Sequence, residues 1–377
     1  MRVLHFYKTS FPDTVGGVEQ VIDQIARGTS LLGVQTDVLS LKSGLDTSGG
    51  GQGGDPGGHQ GNYRRHLAKR NFQIASTDFS VGVFSRFAQL ARQADLVHYH
   101  YPWPFMDIVH FAARLAKPTV VTYHSDIIRQ KNLLRLYTPL KRRFLGSVDS
   151  IVATSPNYLA TSDVLQRFAD KVTVIPIGID RATYPDALPE RLDHWQQVLG
   201  SKFFLFVGVL RYYKGLHILM EAAQGTAHPI VIVGAGPIES ALKQQALRLG
   251  LRNVHFLGQL PEADKIALLR LCYAVVFPSH LRSEAFGVSL LEGAMFGKPM
   301  ISSEIGTGTT YINLGGETGL VVPPGDAAAL RDAMRHLWTH PADAERMGQA
   351  AMRRYQSNFT ARQMVRSYMT LYASLLA

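Results

Sequence analysis

Residues 273–292 read YAVVFPSHLRSEAFGVSLLE, an apolar run, a polar stretch and a second apolar run in succession. The first run is typical of a buried strand. Residues 288–296 are typical of a helix, which ends before a glycine and a proline. Glu284 therefore lies in a loop at the carboxyl end of a strand, and Gly287 opens the helix. A strand followed by a helix is the repeating unit of parallel α/β sheets.

The loop and the helix of this stretch carry groups that suit a sugar nucleotide. Unpaired backbone N–H groups at a helix start bind phosphate, and Gly287 lets a ligand approach the backbone closely. Glu292, about one turn inside the helix, has a carboxylate suited to two ribose hydroxyls, and Glu284 could accept hydroxyls of a sugar ring. Two acids at this spacing also occur on ordinary helix surfaces, so this stretch alone leaves both interpretations open.

The same alternation of strands and helices runs through the chain and restarts once. Apolar runs begin at Val3, and the series restarts at Phe203 after a break around residues 175–200. The pattern predicts two Rossmann-like α/β domains with parallel sheets facing a central cleft. The predicted ranges are 1–182 and 183–359, with a helix over 360–377 that packs back on the first domain.

Composition favours a globular protein in a reducing compartment. The chain has 377 residues, of which 46% are hydrophobic and 18% are charged. No apolar run reaches the ~20 residues of a spanning helix, and the N-terminus is too short and polar for a signal peptide. Cys272, the single cysteine, has no intrachain partner. Residues 1–181 hold 21 Lys and Arg against 14 Asp and Glu, which predicts an anionic partner for the first half.

Three further sites follow predicted strands at their carboxyl ends, where open α/β sheets bind ligands. Gly16 and Gly17 precede the first helix and suit an anion, although an ordinary tight turn explains them as well. Arg211 and Lys214 stand three residues apart and could hold a diphosphate, or be solvated surface charges. His124 ends another strand and is either a ligand contact or a structural histidine.

Three other features of the sequence are a basic segment, a glycine-rich segment and a pair of histidines. The segment from Arg129 to Arg143 has no acid and has leucines interleaved, which suits an anionic lipid surface, although a solvated helix whose leucines face the core explains it as well. Its expected membrane-facing cations are Arg129, Lys131, Lys141, Arg142 and Arg143. Residues 44–61 contain nine glycines and predict a flexible loop. His98 and His100 share a strand face, but without a third ligand they argue against zinc. The chain also has no Asp-x-Asp, His-Glu-x-x-His or Gly-x-Ser-x-Gly motif.

Taken in order, these motifs resemble the retaining family-4 glycosyltransferases of GT-B fold over nearly the whole chain. The first half also resembles bacterial mannosyl- and rhamnosyltransferases of lipopolysaccharide O-chain assembly, through the segments His98–Pro104 and Tyr123–Lys131. Two departures are Ile177, where the family usually has asparagine, and the glycine-rich residues 44–61, which put local acceptor contacts in doubt.

The resemblance implies a role for each matching residue. The expected catalytic residues are Arg211, Lys214, Glu284 and His124. The expected donor and nucleotide contacts are Gly16, Gly17, Gly258, Gln259, Leu260, Phe286, Gly287, Val288 and Glu292. Arg211 and Lys214 would stabilise the departing diphosphate in place of a metal, Glu284 would hold the sugar, Glu292 the ribose, and Gly258 to Leu260 would lie near the nucleobase.

The expected function is therefore a retaining, metal-independent transfer of mannose or rhamnose from a GDP-sugar to a lipid-linked glycan. The enzyme would need no cofactor and would sit peripherally on the inner face of the cytoplasmic membrane. A sugar-nucleotide 2-epimerase on the same double-Rossmann plan is an alternative that needs extra acid and base residues. A basic nucleic-acid-binding protein is a rival from another class, motivated by a pI of 9.6 but without any nucleic-acid motif.

Overall fold

The computed structural model describes residues 1–14, 16–43, 59–60, 62–74, 77–127 and 131–377. Most of the predicted glycine-rich loop, and Arg129, lie outside these ranges. The chain divides into two compact units. Unit 1 comprises Met1–Gly178 and Ala361–Ala377, and unit 2 comprises Ile179–Thr360. Unit 1 thus ends a few residues before the expected boundary at 182, and the final helix belongs to it.

Unit 1 alternates strands with helices for most of its length. Its strands are β1 Arg2–Phe6, β2 Gln35–Lys42, β3 His59–Gln60, β4 Tyr63–Lys69, β5 Phe72–Ile74, β6 Thr77–Phe79, β7 Leu96–Tyr101, β8 Thr119–Tyr123, β9 Ser150–Ala153 and β10 Val172–Val174. Its helices are α1 Gly17–Leu31, α2 Val83–Gln93, α3 Pro104–Ala113, α4 Lys131–Ser147, α5 Pro156–Thr161, α6 Asp163–Gln166 and α15 Ala361–Leu376, with a 3-10 turn at Ala169–Lys171.

Eight of the described strands of unit 1 form one sheet in the order β10-β9-β8-β7-β1-β2-β4-β3. All neighbours are parallel except β3 and β4. The chain builds outward from β1 in one direction and from β7 in the other. The point where the order reverses, between β1 and β7, is where open α/β sheets form a crevice beyond their carboxyl ends.

The final helix α15 is tied into unit 1 by hydrogen bonds as well as by packing. The Tyr372 hydroxyl lies 2.7 Å from Nδ1 of His98, and Nε2 of His98 lies 2.7 Å from Oγ1 of Thr122. The Thr122 hydroxyl is in turn 2.8 Å from the hydroxyl of Tyr368. These side chains are buried. A buried polar network of this kind is costly to leave half-satisfied, so α15 completes the core of unit 1.

Unit 2 is a second, smaller α/β layer structure. Its strands are β11 Phe204–Val207, β12 Ile230–Val233, β13 Val254–Gly258, β14 Ala274–Phe277, β15 Met300–Ser303 and β16 Gly319–Val322. Its helices are α7 Pro189–Leu199, α8 Leu216–Ala223, α9 Glu239–Arg248, α10 Glu262–Leu271, α11 Val288–Met295, α12 Thr309–Ile312, α13 Ala327–Thr339 and α14 Pro341–Asn358, with 3-10 turns at Arg181–Thr183 and Tyr212–Lys214.

The sheet of unit 2 is parallel throughout, in the order β13-β12-β11-β14-β15-β16. Its central strands β11, β12 and β14 are apolar and buried, as a sheet covered by helices on both faces requires. The strand order reverses between β11 and β14. The loops that follow these two strands therefore meet at the same edge of the sheet, at the switch point that favours ligand binding.

Candidate functional site

The loops after β11 and β14 bring together two of the predicted catalytic residues. Nζ of Lys214 forms an ion pair with Oε2 of Glu284, and each side chain is only 12% exposed. Ser279 Oγ lies 3.4 Å from the same carboxylate oxygen, and the Lys214 ammonium is 4.7 Å from the centre of the Phe277 ring. The sequence resemblance implies that Glu284 holds the sugar and that Lys214 stabilises the diphosphate. In the structure the two side chains are in direct contact.

Gly215 allows the two loops to come this close. Its φ is +69°, and a Cβ at this position would lie 1.9 Å from the carbonyl oxygen of Pro278. The backbone N–H of His280 also donates to the carbonyl of Tyr213, at 3.0 Å. Any side chain at Gly215 would therefore push the loop that carries Lys214 away from the loop that carries Glu284.

Arg211 begins the 3-10 turn that carries Lys214. The backbone N–H of Lys214 donates to the carbonyl of Arg211 at 3.0 Å, and the Arg211 side chain is exposed. Lys214 is thus paired with Glu284, while Arg211 faces solvent at the same edge of the sheet. A guanidinium in that position can form two parallel hydrogen bonds with a phosphate group.

The start of α11 is built for close backbone approach. Gly287 precedes the helix with a φ of 101°, and Phe286 is buried beside it. The side chain of Ser289 donates to the carbonyl of Val207 at 2.8 Å, which joins the first turn of α11 to the end of β11. Phe286, Gly287 and Val288 therefore form a fixed turn at the helix N-terminus, where N–H groups and the helix dipole favour an anion.

Glu292 is 3% exposed and has two partners that the sequence did not reveal. The Tyr184 hydroxyl donates to Oε1 of Glu292 at 2.9 Å, and Nζ of Lys265 lies 2.8 Å from the same oxygen. Burial alone would lower the pKa of Lys265, but Glu292 and Glu262 reverse that effect and raise it. No sequence spacing links these residues, because they lie on separate elements that only the fold brings together.

The predicted nucleobase segment follows β13 at the edge of the sheet. Gly258 has a φ of +67°, and its carbonyl accepts from the backbone N–H of Gly234 at 2.7 Å. Gln259 is exposed and Leu260 is half-buried. All strands of this sheet run parallel, so these residues share the carboxyl edge with Lys214 and Glu284.

In unit 1 the predicted anion site at Gly16 and Gly17 already holds a carboxylate. Gly16 precedes α1, and Oε2 of Glu19 lies 2.5 Å from where a Cβ of Gly16 would be. The Thr9 hydroxyl donates to Oε1 of Glu19 at 2.6 Å. A phosphate that approached these glycines would meet this carboxylate, so Glu19 would have to turn away for Gly16 and Gly17 to bind it.

His124 lies directly after β8 and joins a row of imidazoles. Its Nε2 is 3.0 Å from Nδ1 of His100, and Nε2 of His100 is 3.0 Å from Nδ1 of His5. All three rings are buried. Burial lowers the pKa of His5 and His124 to about 3 and holds the pKa of His100 well below its usual value, so the imidazoles are neutral.

His98 and His100 lie beside a third imidazole that the sequence pattern does not reveal. Strand β1 supplies a third imidazole, His5, whose register pairs it with His98, and one ring nitrogen of each of the three lies within 4.8 Å of the others. The rings of His98 and His100 are stacked, with centres 4.4 Å apart and planes 27° apart. Imidazole ligates in its ring plane, so stacked rings do not converge on one ion. Both nitrogens of His98 are also hydrogen-bonded.

The predicted membrane segment needs one correction, at Lys141. This residue is only 8% exposed, so it faces the interior of unit 1, and burial lowers its pKa. Arg142 and Arg143 are exposed, and Arg143 lies 4.9 Å from the centre of the Phe111 ring. Lys131 begins α4, but its side chain is outside the described part of the structure, as is Arg129.

Comparison with solved structures shows which fold this chain has. Sucrose-phosphate synthase from Thermosynechococcus elongatus superposes with a TM-score of 0.81 at 20% identity, covering 99% of this chain and 98% of that one. Alr3699/HepE from Anabaena, in complex with UDP and glucose, gives a TM-score of 0.75 at 21% identity and covers 99% of each chain. The chain has the GT-B fold, with a parallel sheet in each of its two units, as the sequence predicted.

The family follows from sequence comparison. Residues 15–183 match Glycosyltransferase Family 4, and residues 191–354 match Glycosyl transferases group 1. The D-rhamnosyltransferase WbpZ of Pseudomonas aeruginosa is 59% identical over 96% of this chain and 93% of its own length. The O-antigen chain mannosyltransferase C of Escherichia coli is 48% identical over 100% of this chain and 99% of its own. The chain belongs to the glycosyltransferases that these two family models describe together. This confirms the resemblance seen in the motifs.

Proposed function

We propose that this glycosyltransferase moves mannose or D-rhamnose from its GDP form to a lipid-linked glycan, with retention of anomeric configuration, during O-antigen synthesis. Two relatives support the proposal, since one is described as a D-rhamnosyltransferase and the other as an O-antigen chain mannosyltransferase. D-Rhamnose is mannose without its C6 hydroxyl, so the donors differ at one position. A site that hydrogen-bonds this hydroxyl would reject rhamnose strongly, whereas an apolar contact would discriminate weakly.

The observation that carries the proposal is the ion pair between Lys214 and Glu284 at the switch point of the unit 2 sheet. In a nucleotide sugar the anomeric carbon is bonded directly to the diphosphate. A carboxylate that holds sugar hydroxyls and a cation that holds the diphosphate must therefore be neighbours. Lys214, with Arg211 on the same turn, would stabilise the negative charge that develops on the leaving diphosphate.

The reaction we propose needs no protein nucleophile. The bond between the anomeric carbon and the diphosphate oxygen breaks, and its electron pair stays on the phosphate. The acceptor hydroxyl oxygen bonds to the same face of the anomeric carbon, and its proton passes to the departing phosphate oxygen. Arg211 and Lys214 supply the positive charge that a metal ion supplies in other transferases.

Transfer assays with defined donors test this function. The purified chain would be incubated with a lipid-linked glycan and with GDP-mannose, GDP-D-rhamnose or UDP-glucose. We expect transfer from a GDP donor, a product with the donor's anomeric configuration by NMR, and full activity in EDTA. Transfer from UDP-glucose alone would contradict the donor class. Activity lost in EDTA and restored by Mg²⁺ or Mn²⁺ would contradict the two-cation site, and conversion of the free donor without acceptor would favour the epimerase.

The buried cluster around Glu292 predicts how the ribose is recognised. In wild type we expect 2′-deoxy-GDP to bind more weakly than GDP by roughly 1.5–3 kcal/mol, the cost of leaving a charged hydrogen-bond partner unmatched. Glu292→Ala and Lys265→Met should both shrink this difference, because Lys265 holds the carboxylate in place. Calorimetry with GDP and with 2′-deoxy-GDP measures this difference in binding free energy.

The matched control for this experiment is Glu262→Ala. Glu262 is the other carboxylate on Lys265, at 2.7 Å, and it is largely exposed. Its removal should leave the discrimination between GDP and 2′-deoxy-GDP intact. Glu284→Ala should leave GDP binding nearly unchanged and abolish transfer. Weaker GDP binding in Glu284→Ala, with normal binding in Glu292→Ala, would reverse the assignment of the two carboxylates.

We also propose that unit 1 contacts the inner face of the cytoplasmic membrane through the outer face of α4, defined by Arg135, Leu136, Arg142 and Arg143. The first two residues precede the last two by seven positions, or two helical turns, so all four lie on one side. All four are exposed, and Leu136 is 81% exposed. Cations flanking an apolar side chain suit anionic headgroups. Among the described residues, no helix is both long and apolar enough to cross a bilayer.

Attachment through this face should be reversible and sensitive to salt. Each cation near an anionic surface contributes about 1 kcal/mol and is screened within a Debye length. We expect the protein to sediment with phosphatidylserine-containing liposomes at low salt and to leave them at high salt. Replacing Arg142 and Arg143 with Gln should weaken sedimentation about tenfold or more.

The control exchanges two exposed arginines elsewhere in unit 1, Arg362 and Arg366, for Gln. This variant has the same net charge as the α4 variant and should sediment like wild type. Equal loss in both variants would mean that net charge alone drives attachment. No sedimentation of wild type at low salt would remove α4 from the acceptor step.

A further inference from the structure

Three histidines in unit 1 form a continuous hydrogen-bonded row that crosses the switch point of its sheet. His5 on β1, His100 on β7 and His124 after β8 are linked Nδ1 to Nε2 at 3.0 Å in each step. Neighbouring rings are nearly coplanar, with planes 19° apart in the first step and 20° apart in the second, and their centres lie 5.4 Å and 5.3 Å apart, as hydrogen bonds between ring edges require. The row starts in the interior at His5 and ends at the carboxyl edge of the sheet.

A neutral imidazole carries one N–H and one bare nitrogen, so each link needs a donor on one side and an acceptor on the other. The three tautomers are therefore coupled, and only two arrangements satisfy both links. In one, every Nδ1 carries a proton, and His124 presents Nδ1–H. In the other, every Nε2 carries a proton, and His124 presents a bare Nδ1.

The buried end of the row distinguishes these arrangements. Among the described residues, none hydrogen-bonds Nε2 of His5, and this atom is sealed from solvent. The first arrangement leaves a bare acceptor there, whereas the second leaves an N–H donor without a partner. Buried N–H groups without partners are rarer in proteins than under-satisfied acceptors. The first arrangement is therefore favoured.

We propose that His5 and His100 are positioning residues that hold His124 as the Nδ1–H tautomer, a fixed neutral hydrogen-bond donor at the carboxyl edge of the unit 1 sheet. A histidine side chain free in water prefers the opposite tautomer, Nε2–H, so the row selects the less common form. His124 then donates to a hydroxyl or phosphate oxygen of the ligand and does not act as a general base through Nδ1. The inference rests on the proposed function only for the statement that a ligand approaches His124.

NMR of the full chain labelled with ¹⁵N-histidine tests the tautomer directly. Long-range correlations between ring protons and nitrogens distinguish a protonated from a bare ring nitrogen, and the signals that disappear in His124→Gln assign the residue. We expect a protonated Nδ1 and a bare Nε2 for His124 in the wild-type protein at pH 7. A protonated Nε2, or protons on both nitrogens, would overturn the proposal.

Breaking the row gives an independent readout. In His100→Leu the His124 ring loses its donor, and its signals should move toward the Nε2–H form. The turnover number should fall about tenfold, with GDP affinity within about twofold of wild type. His110→Gln is the control, since His110 is a buried imidazole of the same unit bonded to Tyr99 and Ser147. It should leave the His124 signals unchanged.

The outcomes separate this inference from the proposed function. An unchanged His124 tautomer in a folded His100→Leu variant would overturn the positioning role. If that variant does not fold, the wild-type spectrum alone decides the tautomer. A wild-type chain that shows the expected tautomer but neither binds GDP nor transfers sugar would leave the histidine row standing and would refute the donor assignment.

Discussion

Lys214→Ala is expected to lower the turnover number by on the order of 10²–10³, the typical cost of removing one group that stabilises charge in the transition state. The affinity for GDP should fall much less, because the contacts proposed for GDP at the start of α11 and with Glu292 do not involve Lys214. Initial rates with a GDP-sugar donor and calorimetry with GDP measure the two effects. Arg211→Ala should show the same pattern. Wild-type rates in both variants would exclude the two cations from catalysis.

The ion pair with Glu284 complicates a single substitution, and a second variant resolves it. Lys214→Ala leaves the Glu284 carboxylate without its partner, and that charge would repel the diphosphate. In the double variant Lys214→Ala/Glu284→Gln this repulsion is absent. If its GDP affinity is higher than that of Lys214→Ala, the difference measures the repulsion. The loss of turnover that remains measures the missing cation. Lys243→Ala is the control, since Lys243 is an exposed lysine of unit 2 paired with Glu239 one helical turn away.

Unit 1 should lose stability steeply below about pH 6.5. Burial lowers the pKa of His5 and His124 to about 3, that of His110 to about 4, and those of His98 and His100 well below 6.5. In the unfolded chain these groups take up protons as the pH falls through 6.5, while the folded chain does not. The unfolded state then binds more protons, so stability is fully present above pH 6.5 and is lost progressively towards about pH 3.

Each such histidine contributes up to about 1.4 kcal/mol per pH unit in this window. Asp107 acts in the opposite direction, because burial raises its pKa and the folded state takes up a proton first. The five histidines outnumber the one opposing carboxyl group, so we expect unit 1 to lose several kcal/mol of its free energy of unfolding between pH 6 and pH 5. This is a large share of the stability of a typical domain.

Tryptophan fluorescence can follow unit 1 alone. The chain has three tryptophans, and exchanging Trp195 and Trp338 for Phe leaves Trp103, which is buried in unit 1. Urea unfolding of this variant at pH 7.5, 6 and 5 measures the free energy of unfolding. Adding His5→Phe should reduce the loss per pH unit by about 1.4 kcal/mol. Equal midpoints at pH 7.5 and pH 5 would contradict a core of neutral histidines.

Much of the fold could be predicted because its strands are short apolar runs with polar punctuation. Apolar runs at residues 119–123, 230–233 and 274–277 coincide with β8, β12 and β14. Strand β4 escaped notice because its residues Arg64, Arg65 and His66 break the apolar pattern. They are accommodated by buried or half-buried carboxylates on other elements, including Asp37, which pairs with Arg2, Arg64 and His66. Such compensation between distant residues leaves no periodic signal in the sequence.

The residues of the candidate site likewise include some that the sequence could predict and some that it could not. Arg211, Lys214, Glu284 and Gly287 could be found because each follows a recognisable strand. Lys265 and Tyr184 could not, since their link to Glu292 depends on how α10, α11 and the segment before α7 pack. Lys141 was misplaced because a repeating pattern of cations does not show which helix face turns inward. His5 was missed because a single histidine in a strand gives no hint of its neighbours.

The return of α15 to unit 1 sets the order in which the chain can fold during synthesis. Unit 2 is a contiguous segment and can fold once it has left the ribosome, as domains generally do. Unit 1 is translated first, but its core cannot be completed until Tyr368 and Tyr372, which supply hydrogen bonds to His98 and Thr122, have been made after unit 2. A nascent chain therefore carries an unfinished first half for as long as the second half takes to translate. A stop codon shortly before Tyr368 would release a protein with a finished unit 2 and a unit 1 whose core lacks these hydrogen bonds.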